Sequence, residues 1–167
     1  MTQSQTPLSE DDFATLLHQY LIHKGLTTFS HDTFLSSPEI RNIANRVLLD
    51  QYEATELTEK RVIFLINRAL AKLWKSGKII TKEDGWYEVV NHTANLGMVL
   101  GHLVGEETGG LDDSAVGVPL NYILVRLRDW QGGCYKYVKR EAVVQSLALL
   151  VDSSEIYEVG RAEYRSF

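Results

Sequence analysis

The chain lacks several features that would place it in particular protein classes. Its 167 residues include a single cysteine, Cys134, and only three prolines. One cysteine excludes a disulfide framework and a zinc site built from cysteines. The scarcity of proline argues against a disordered chain, and the balance of 44% hydrophobic and 23% charged residues is typical of a folded protein.

Positive net charge and a long apolar run are also missing. The formal net charge is −5, so any contact with nucleic acid would have to be local rather than spread over the whole surface. The longest apolar run, residues 94–104, is too short to cross a bilayer and is interrupted by His102. Residues 1–7 have neither the positive charge nor the apolar core of a signal peptide. We therefore expect a cytoplasmic protein without a membrane segment.

No motif for catalysis, cofactor binding or metal binding stands out. The five histidines are scattered: His18, His23, His31, His92 and His102. They form no pair with the spacing of a helical zinc site. Cys134 has no paired base nearby in the sequence, and Gly109-Gly110 precedes two aspartates rather than a phosphate-binding lysine. These observations predict a non-enzymatic protein with no metal and no cofactor.

Apolar periodicity in the first half predicts three helices followed by a hairpin. Ser9 is a candidate N-cap, and the helix that it begins ends before Gly25. Two further helices are predicted over residues 37–50 and 59–76, with a turn over 51–57. Residues 27–35 fit either a strand or a turn of helix. Residues 78–90 form the predicted hairpin, with Asp84-Gly85 in its turn.

The second half repeats this order loosely. Helices are predicted over residues 93–104, 119–130 and 138–151, and a closing hairpin over 155–167. An acidic, glycine-rich loop at 105–118 follows the first of these helices. The predicted fold class is α+β and mostly α. We expect the chain to divide into two small modules, 1–91 and 92–167, each with helices and a C-terminal β-hairpin.

This order of elements resembles the winged-helix superfamily, present here as a tandem pair. The resemblance rests on helix 37–50, turn 51–57, helix 59–76 and hairpin 78–90, and in the second half on helix 138–151 and hairpin 155–167. It implies that the helix over 59–76 either enters the major groove of DNA, with the hairpin as the wing, or docks a protein partner. The superfamily contains both kinds of protein, so the resemblance by itself leaves both functions open.

Basic residues cluster on one side of the predicted helix over 59–76. Arg61, Arg68, Lys72 and Lys75, the basic arc, fall within about 60° of one another at 100° per residue. Lys78 and Lys82 extend the positive charge into the predicted hairpin. Arginine can bond guanine edges and lysine can neutralise phosphate, so these six residues are the candidate DNA-binding site. A solvated helix face is the alternative interpretation, because cations are favoured near a helix C-terminus in any protein.

Glycine recurs at every fourth position in Gly97, Gly101 and Gly105. On a helix these residues form a smooth strip that allows another helix to approach closely. The strip predicts either a seam with a second copy of the chain or tight packing between its two halves.

Two functional hypotheses follow. The first is a DNA-associated regulator, for example of transcription, that contacts double-stranded DNA through the six basic residues while its second half holds a protein partner or a second copy. The alternative is an acidic tandem winged-helix adaptor that makes no contact with nucleic acid. The negative net charge favours the alternative, and so does helix 138–151, whose only cations, Lys139 and Arg140, lie at its start.

Overall fold

A computed structural model describes residues 8–52, 59–108 and 117–167, with side chains for all of these except 48–52. The chain divides into two compact units, Met1–Val89 and Val90–Phe167. The sequence placed this division two residues later. Both units are helical with one small antiparallel sheet each, so the predicted mostly-α α+β class is confirmed.

In the described part of the first unit there are four α-helices and three strands. Its elements are α1 (Glu10–His23), β1 (Thr28–Ser30), α2 (His31–Leu35), α3 (Pro38–Tyr52), α4 (Glu59–Lys75), β2 (Ile79–Thr81) and β3 (Trp86–Val89). The strand order is β1-β3-β2, with Phe29 opposite Tyr87 and Ile80 opposite Glu88. The ambiguous residues 27–35 therefore contain both a strand and a short helix. The predicted hairpin forms, and a short 3-10 turn at Glu83–Gly85 joins its strands.

A capping box begins α1. The Asp12 amide donates to Ser9 Oγ at 3.1 Å, and the Ser9 amide donates to Asp12 Oδ2 at 3.2 Å, which satisfies two donors of the first turn. The buried face of α1 packs against α4 and helps to enclose an aromatic cluster. In that cluster Phe29 lies edge-on to Phe34 and stacks on Tyr87, with ring centroids 5.3 and 5.4 Å apart. The core therefore fixes α4 between α1 and the sheet.

The second unit contains three helices and three strands among the residues described. They are α5 (Leu96–Thr108), β4 (Val118–Pro119), α6 (Leu120–Asp129), α7 (Arg140–Asp152), β5 (Ile156–Gly160) and β6 (Glu163–Ser166). The strand order is β4-β6-β5, so the last strand is again central. The two units therefore share an arrangement in which a strand from the helical region pairs with a C-terminal hairpin.

The boundary of α5 differs from the prediction. The helix ends at Thr108 instead of Val104, so the first four residues of the predicted acidic loop are helical. Thr108 is buried and its hydroxyl donates to the Val104 carbonyl at 2.7 Å, which extends the buried face past Gly105. Residues 109–116, the remainder of that loop apart from its end, lie outside the described residues. Strand β4 was not predicted because two residues are too few to show periodicity.

The glycine strip packs inside the second unit. A Cβ on Gly97 would lie 2.6 Å from the His92 carbonyl oxygen and 3.9 Å from Leu150 Cδ2, and one on Gly101 would lie 4.0 Å from Leu150 Cδ1. Gly105 has open space at that position. The sequence predicted a seam with a second copy or with the other half of the chain. Gly97 and Gly101 lie near Leu150 of α7 in the same unit, and the seam with a second copy or with the other half stays a prediction.

Candidate interaction surface on the fourth helix

Helix α4 is held by its apolar stripe and ended by a glycine. The buried residues of the helix recur at the three- and four-residue spacing of one helix face: Val62, Leu65, Ile66, Ala69, Leu70 and Leu73. At the end of the helix, Gly77 has a φ of +75°, which favours glycine. Its amide donates to the Trp74 carbonyl and the Lys78 amide donates to the Leu73 carbonyl, as in a Schellman motif. This turn directs the chain into β2 and leaves the polar side of α4 outside the core.

The middle of the basic arc is paired with carboxylates of α1. Arg68 Nη2 lies 2.9 Å from Glu10 Oε2, and Lys72 Nζ lies 2.5 Å from Asp11 Oδ1 and 3.9 Å from Glu10 Oε2. Glu10 and Asp11 belong to the acidic first turn of α1, where negative charge is favoured by the helix dipole. The same acids therefore stabilise the start of α1 and neutralise two predicted DNA-binding residues.

The hairpin that follows α4 also has a mixed charge. Lys82 Nζ lies 3.0 Å from Glu88 Oε1 on the neighbouring strand. Glu83 and Asp84 are exposed in the turn between the strands, and Trp86 beside them is 51% exposed. The predicted wing therefore presents carboxylates and an indole ring around its lysine.

The other predicted cations occupy exposed positions. Arg61 is exposed near the start of α4, and Lys75 and Lys78 are exposed at its end. Within the described residues, neither Lys75 nor Lys78 forms an ion pair. The structure thus places the six predicted residues along one helix and the hairpin, and Arg68, Lys72 and Lys82 are paired with carboxylates.

An exposed aromatic residue lies at the centre of this surface. Phe64 is 54% exposed, and the Arg68 guanidinium carbon lies 5.6 Å from the centre of its ring. Phe64 falls on the side of α4 away from the buried stripe, and the exposed residues three and four positions from it are Lys60, Arg61, Asn67 and Arg68. Sequence reasoning passed over Phe64. The signal was present, because a phenylalanine off the apolar stripe of an amphipathic helix is unusual for a residue with no contact function.

The corresponding helix of the second unit has no basic face. Its outward positions carry Glu141, Val144, Gln145 and Leu149. Of the two cations at its start, Lys139 is the N-cap residue and Arg140 donates to Asn121 Oδ1 at 3.2 Å. The surface of α7 is therefore partly apolar and uncharged over its middle, as expected for a docking or packing element.

The histidines occupy separate environments. Burial and the nearby Lys78 ammonium lower the pKa of His18. His31 is hydrogen-bonded to Asn67 of α4, His92 Nδ1 lies 3.3 Å from Ser146 Oγ, and His102 Nε2 lies 3.0 Å from Glu106. Among the described residues, no group of three His, Cys, Asp or Glu side chains is arranged to hold a metal ion.

Comparison with known proteins finds no family model that matches the chain and no curated protein that matches it. In the part of the chain that the structure describes, no helix is both long and apolar enough to span a membrane.

Proposed function

We propose that this chain is a non-enzymatic tandem winged-helix adaptor whose first unit binds a protein partner through the outer face of α4. The winged-helix assignment is supported by the element order in both units and by the strand order in which the last strand is central. The adaptor role is supported chiefly by one observation: Arg68 and Lys72 are paired with Glu10 and Asp11, and the exposed ring at the centre of the face is Phe64.

Electrostatics favours a protein partner over DNA. Binding to a duplex draws most of its free energy from cations that neutralise phosphates, and such cations must not already be neutralised. Asp11 has a side chain that is 83% exposed next to Lys72, so a duplex lying along α4 would bring phosphates towards a carboxylate. Glu83 and Asp84 would have the same effect at the hairpin.

The composition of the face suits a protein interface. Aromatic and arginine side chains contribute most to binding at protein interfaces, especially where a ring is surrounded by polar groups that exclude water. Phe64 with the Arg68 guanidinium against its ring is such a pair. Arg68 is also held by Glu10, so less side-chain entropy is lost on binding.

The test is co-purification of the tagged full-length chain from its native cells at low salt. A stoichiometric protein partner is expected with the wild-type chain and lost with Phe64→Ser. Val125→Ser serves as the matched control, because Val125 is 56% exposed but lies in the second unit. Circular dichroism of both variants checks that they fold. Retention of the partner by Phe64→Ser, or retention of nucleic acid without a protein, would contradict the proposal.

DNA binding is the second candidate, and the exposed positions of Lys75 and Lys78 favour it. Gel-shift binding across a salt series distinguishes the two. A DNA-binding protein would retard a duplex with an affinity that falls steeply with salt, and Lys75→Glu with Lys78→Glu would abolish the shift. The adaptor proposal expects no shift at physiological salt.

A further inference from the structure

A shallow groove of about 440 Å³ lies between α1 and the C-terminal end of α4. Ala14 of α1 and Leu73 of α4 form its apolar floor, and Lys72, Lys75 and Lys78 line its rim together with Asp11. The groove is adjacent to the outer face of α4 but does not include Phe64.

Positive charge in this groove is concentrated at one end. Lys72 is paired with Asp11 at the end nearer the start of α1. Lys75 and Lys78 are exposed at the other end, where the Lys78 ammonium also helps to lower the pKa of the neighbouring His18. An anionic group seated at that end would therefore meet two lysines, and the carboxylate that lines the groove, that of Asp11, is beside Lys72 at the other end.

We propose that this groove binds an acidic and partly apolar peptide segment of the protein partner. A carboxylate of the segment would pair with Lys75 and Lys78, and an aliphatic side chain would lie on Leu73 and Ala14. This inference rests on the proposed function. A continuous polyanion suits the groove poorly, because the exposed Asp11 carboxylate at the opposite end would repel it, whereas a peptide can place an uncharged residue there.

Fluorescence anisotropy with the full-length chain tests the proposal. The probe is a labelled peptide of Glu, Leu and Ala, and the control peptide has Gln in place of each Glu. The wild-type chain is expected to bind the acidic peptide and not the control. Lys75→Glu with Lys78→Glu should weaken binding by tenfold or more, on the order of 1.4 kcal/mol. Arg128→Glu with Lys139→Glu, the same charge change in the second unit, should leave binding unchanged.

Two further measurements exclude indirect effects. Lys75→Gln with Lys78→Gln removes the charge without reversing it at the helix end, and it should also weaken binding if the lysines contact the peptide. In NMR titrations the acidic peptide should raise the pKa of His18, because a bound carboxylate offsets the field of Lys78. A structural role of the lysines alone would not produce that shift.

Several outcomes would overturn this proposal. They are absence of peptide binding, equal binding of the two peptides, an equal loss in the Arg128 and Lys139 variant, and displacement of the peptide by a DNA duplex of similar affinity. Failure here is distinguishable from failure of the adaptor role. If only the groove is wrong, the partner is still lost with Phe64→Ser although the acidic peptide does not bind. If only the Phe64 surface is wrong, Phe64→Ser retains the partner while the wild-type chain still binds the acidic peptide.

Discussion

At the residue scale, single side chains on α4 and single glycines on α5 decide what each surface can do. Phe64 and Arg68 are one turn apart on the same helix, and the ion pair of Arg68 with Glu10 holds the guanidinium beside the ring. Gly97 and Gly105 occupy the same helix face eight residues apart, but only Gly97 lies against another part of the backbone. Residue type alone does not distinguish the two glycines. The atoms that surround each of them do.

Alanine should have opposite effects at Gly97 and Gly105. A Cβ at Gly97 would lie 2.6 Å from the backbone oxygen of His92, which cannot move away cheaply, so Gly97→Ala should lower the free energy of unfolding by about 1–3 kcal/mol. Gly105→Ala meets open space in a helix and should raise it by about 0.5–1 kcal/mol. Urea denaturation measures both. A similar change in the free energy of unfolding for both substitutions would contradict the close packing of Gly97 against the His92 backbone.

His18 should make stability depend on pH. Its pKa is lowered in the folded state by burial and then by Lys78, from the ordinary value of 6.5, so near that pH the unfolded chain binds more protons. The contribution of His18 to the free energy of unfolding is therefore fully present above pH 6.5. It is lost as the pH falls below that value towards the folded-state pKa. As the pH is lowered from 6.5, the urea midpoint of His18→Gln should fall less than that of the wild-type chain. His23→Gln, at an exposed position of the same helix, should behave like the wild type.

At the scale of the element, the acidic first turn of α1 has two roles. It begins the helix with the capping box of Ser9 and Asp12, and it supplies Glu10 and Asp11 to the cations of α4. The charge of α4 available to a ligand therefore depends on a different helix. The charge of the hairpin also depends on a residue from another element. Lys82, before the turn, is paired with Glu88 on β3.

Removal of the acidic turn's charge should make DNA binding easier. Glu10→Gln with Asp11→Asn frees Arg68 and Lys72, and two additional phosphate contacts should strengthen duplex binding at low salt on the order of tenfold. Asp32→Asn with Glu39→Gln makes the same change of net charge in the first turns of α2 and α3, and should have a smaller effect. Gel shifts at low salt compare the two variants. Equal effects would mean that net charge, and not the pairing with α4, governs binding.

At the scale of the whole molecule, charge and core are both distributed between two units. Met1–Val89 contains ten lysines and arginines against twelve aspartates and glutamates, so its basic helix lies in a slightly acidic body. This unit also has a core of its own, in which α1, α4 and the sheet enclose Phe29 and Phe34. A unit of this size with its own core has what a small domain needs in order to fold.

The fragment Met1–Val89 should therefore fold by itself. We expect one cooperative urea transition with a slope of about 1 kcal/mol/M, as for other small domains, and dispersed amide resonances. The fragment that ends at Gly77 lacks β2 and β3 and leaves Phe29 without the stacked Tyr87 ring, so it should unfold without cooperativity. A non-cooperative transition in the longer fragment would show that its core is insufficient.

The sequence by itself determined the fold class of this protein and its helices other than α2, which it left as either a strand or a turn of helix. The 3.6-residue period of the apolar stripes, the N-cap at Ser9 and the stop at Gly77 are local signals, and local signals are readable without a structure. The hairpin after α4 was predicted for the same reason. Strand β4 is too short to show periodicity and pairs with β6, and Thr108 at the end of α5 is hydrogen-bonded to Ser166 of β6, so both depend on a strand that is distant in the sequence.

Only the tertiary structure decided the character of the surface. Periodicity placed Arg61, Arg68, Lys72 and Lys75 on one side of a helix, but it could not show that Glu10 and Asp11 of another helix lie within ion-pair distance of two of them. It placed Gly97 and Gly101 in one strip, but not against Leu150 of α7. Charge and packing act through space, so a residue's partners are fixed when the chain folds and not by its neighbours in the sequence.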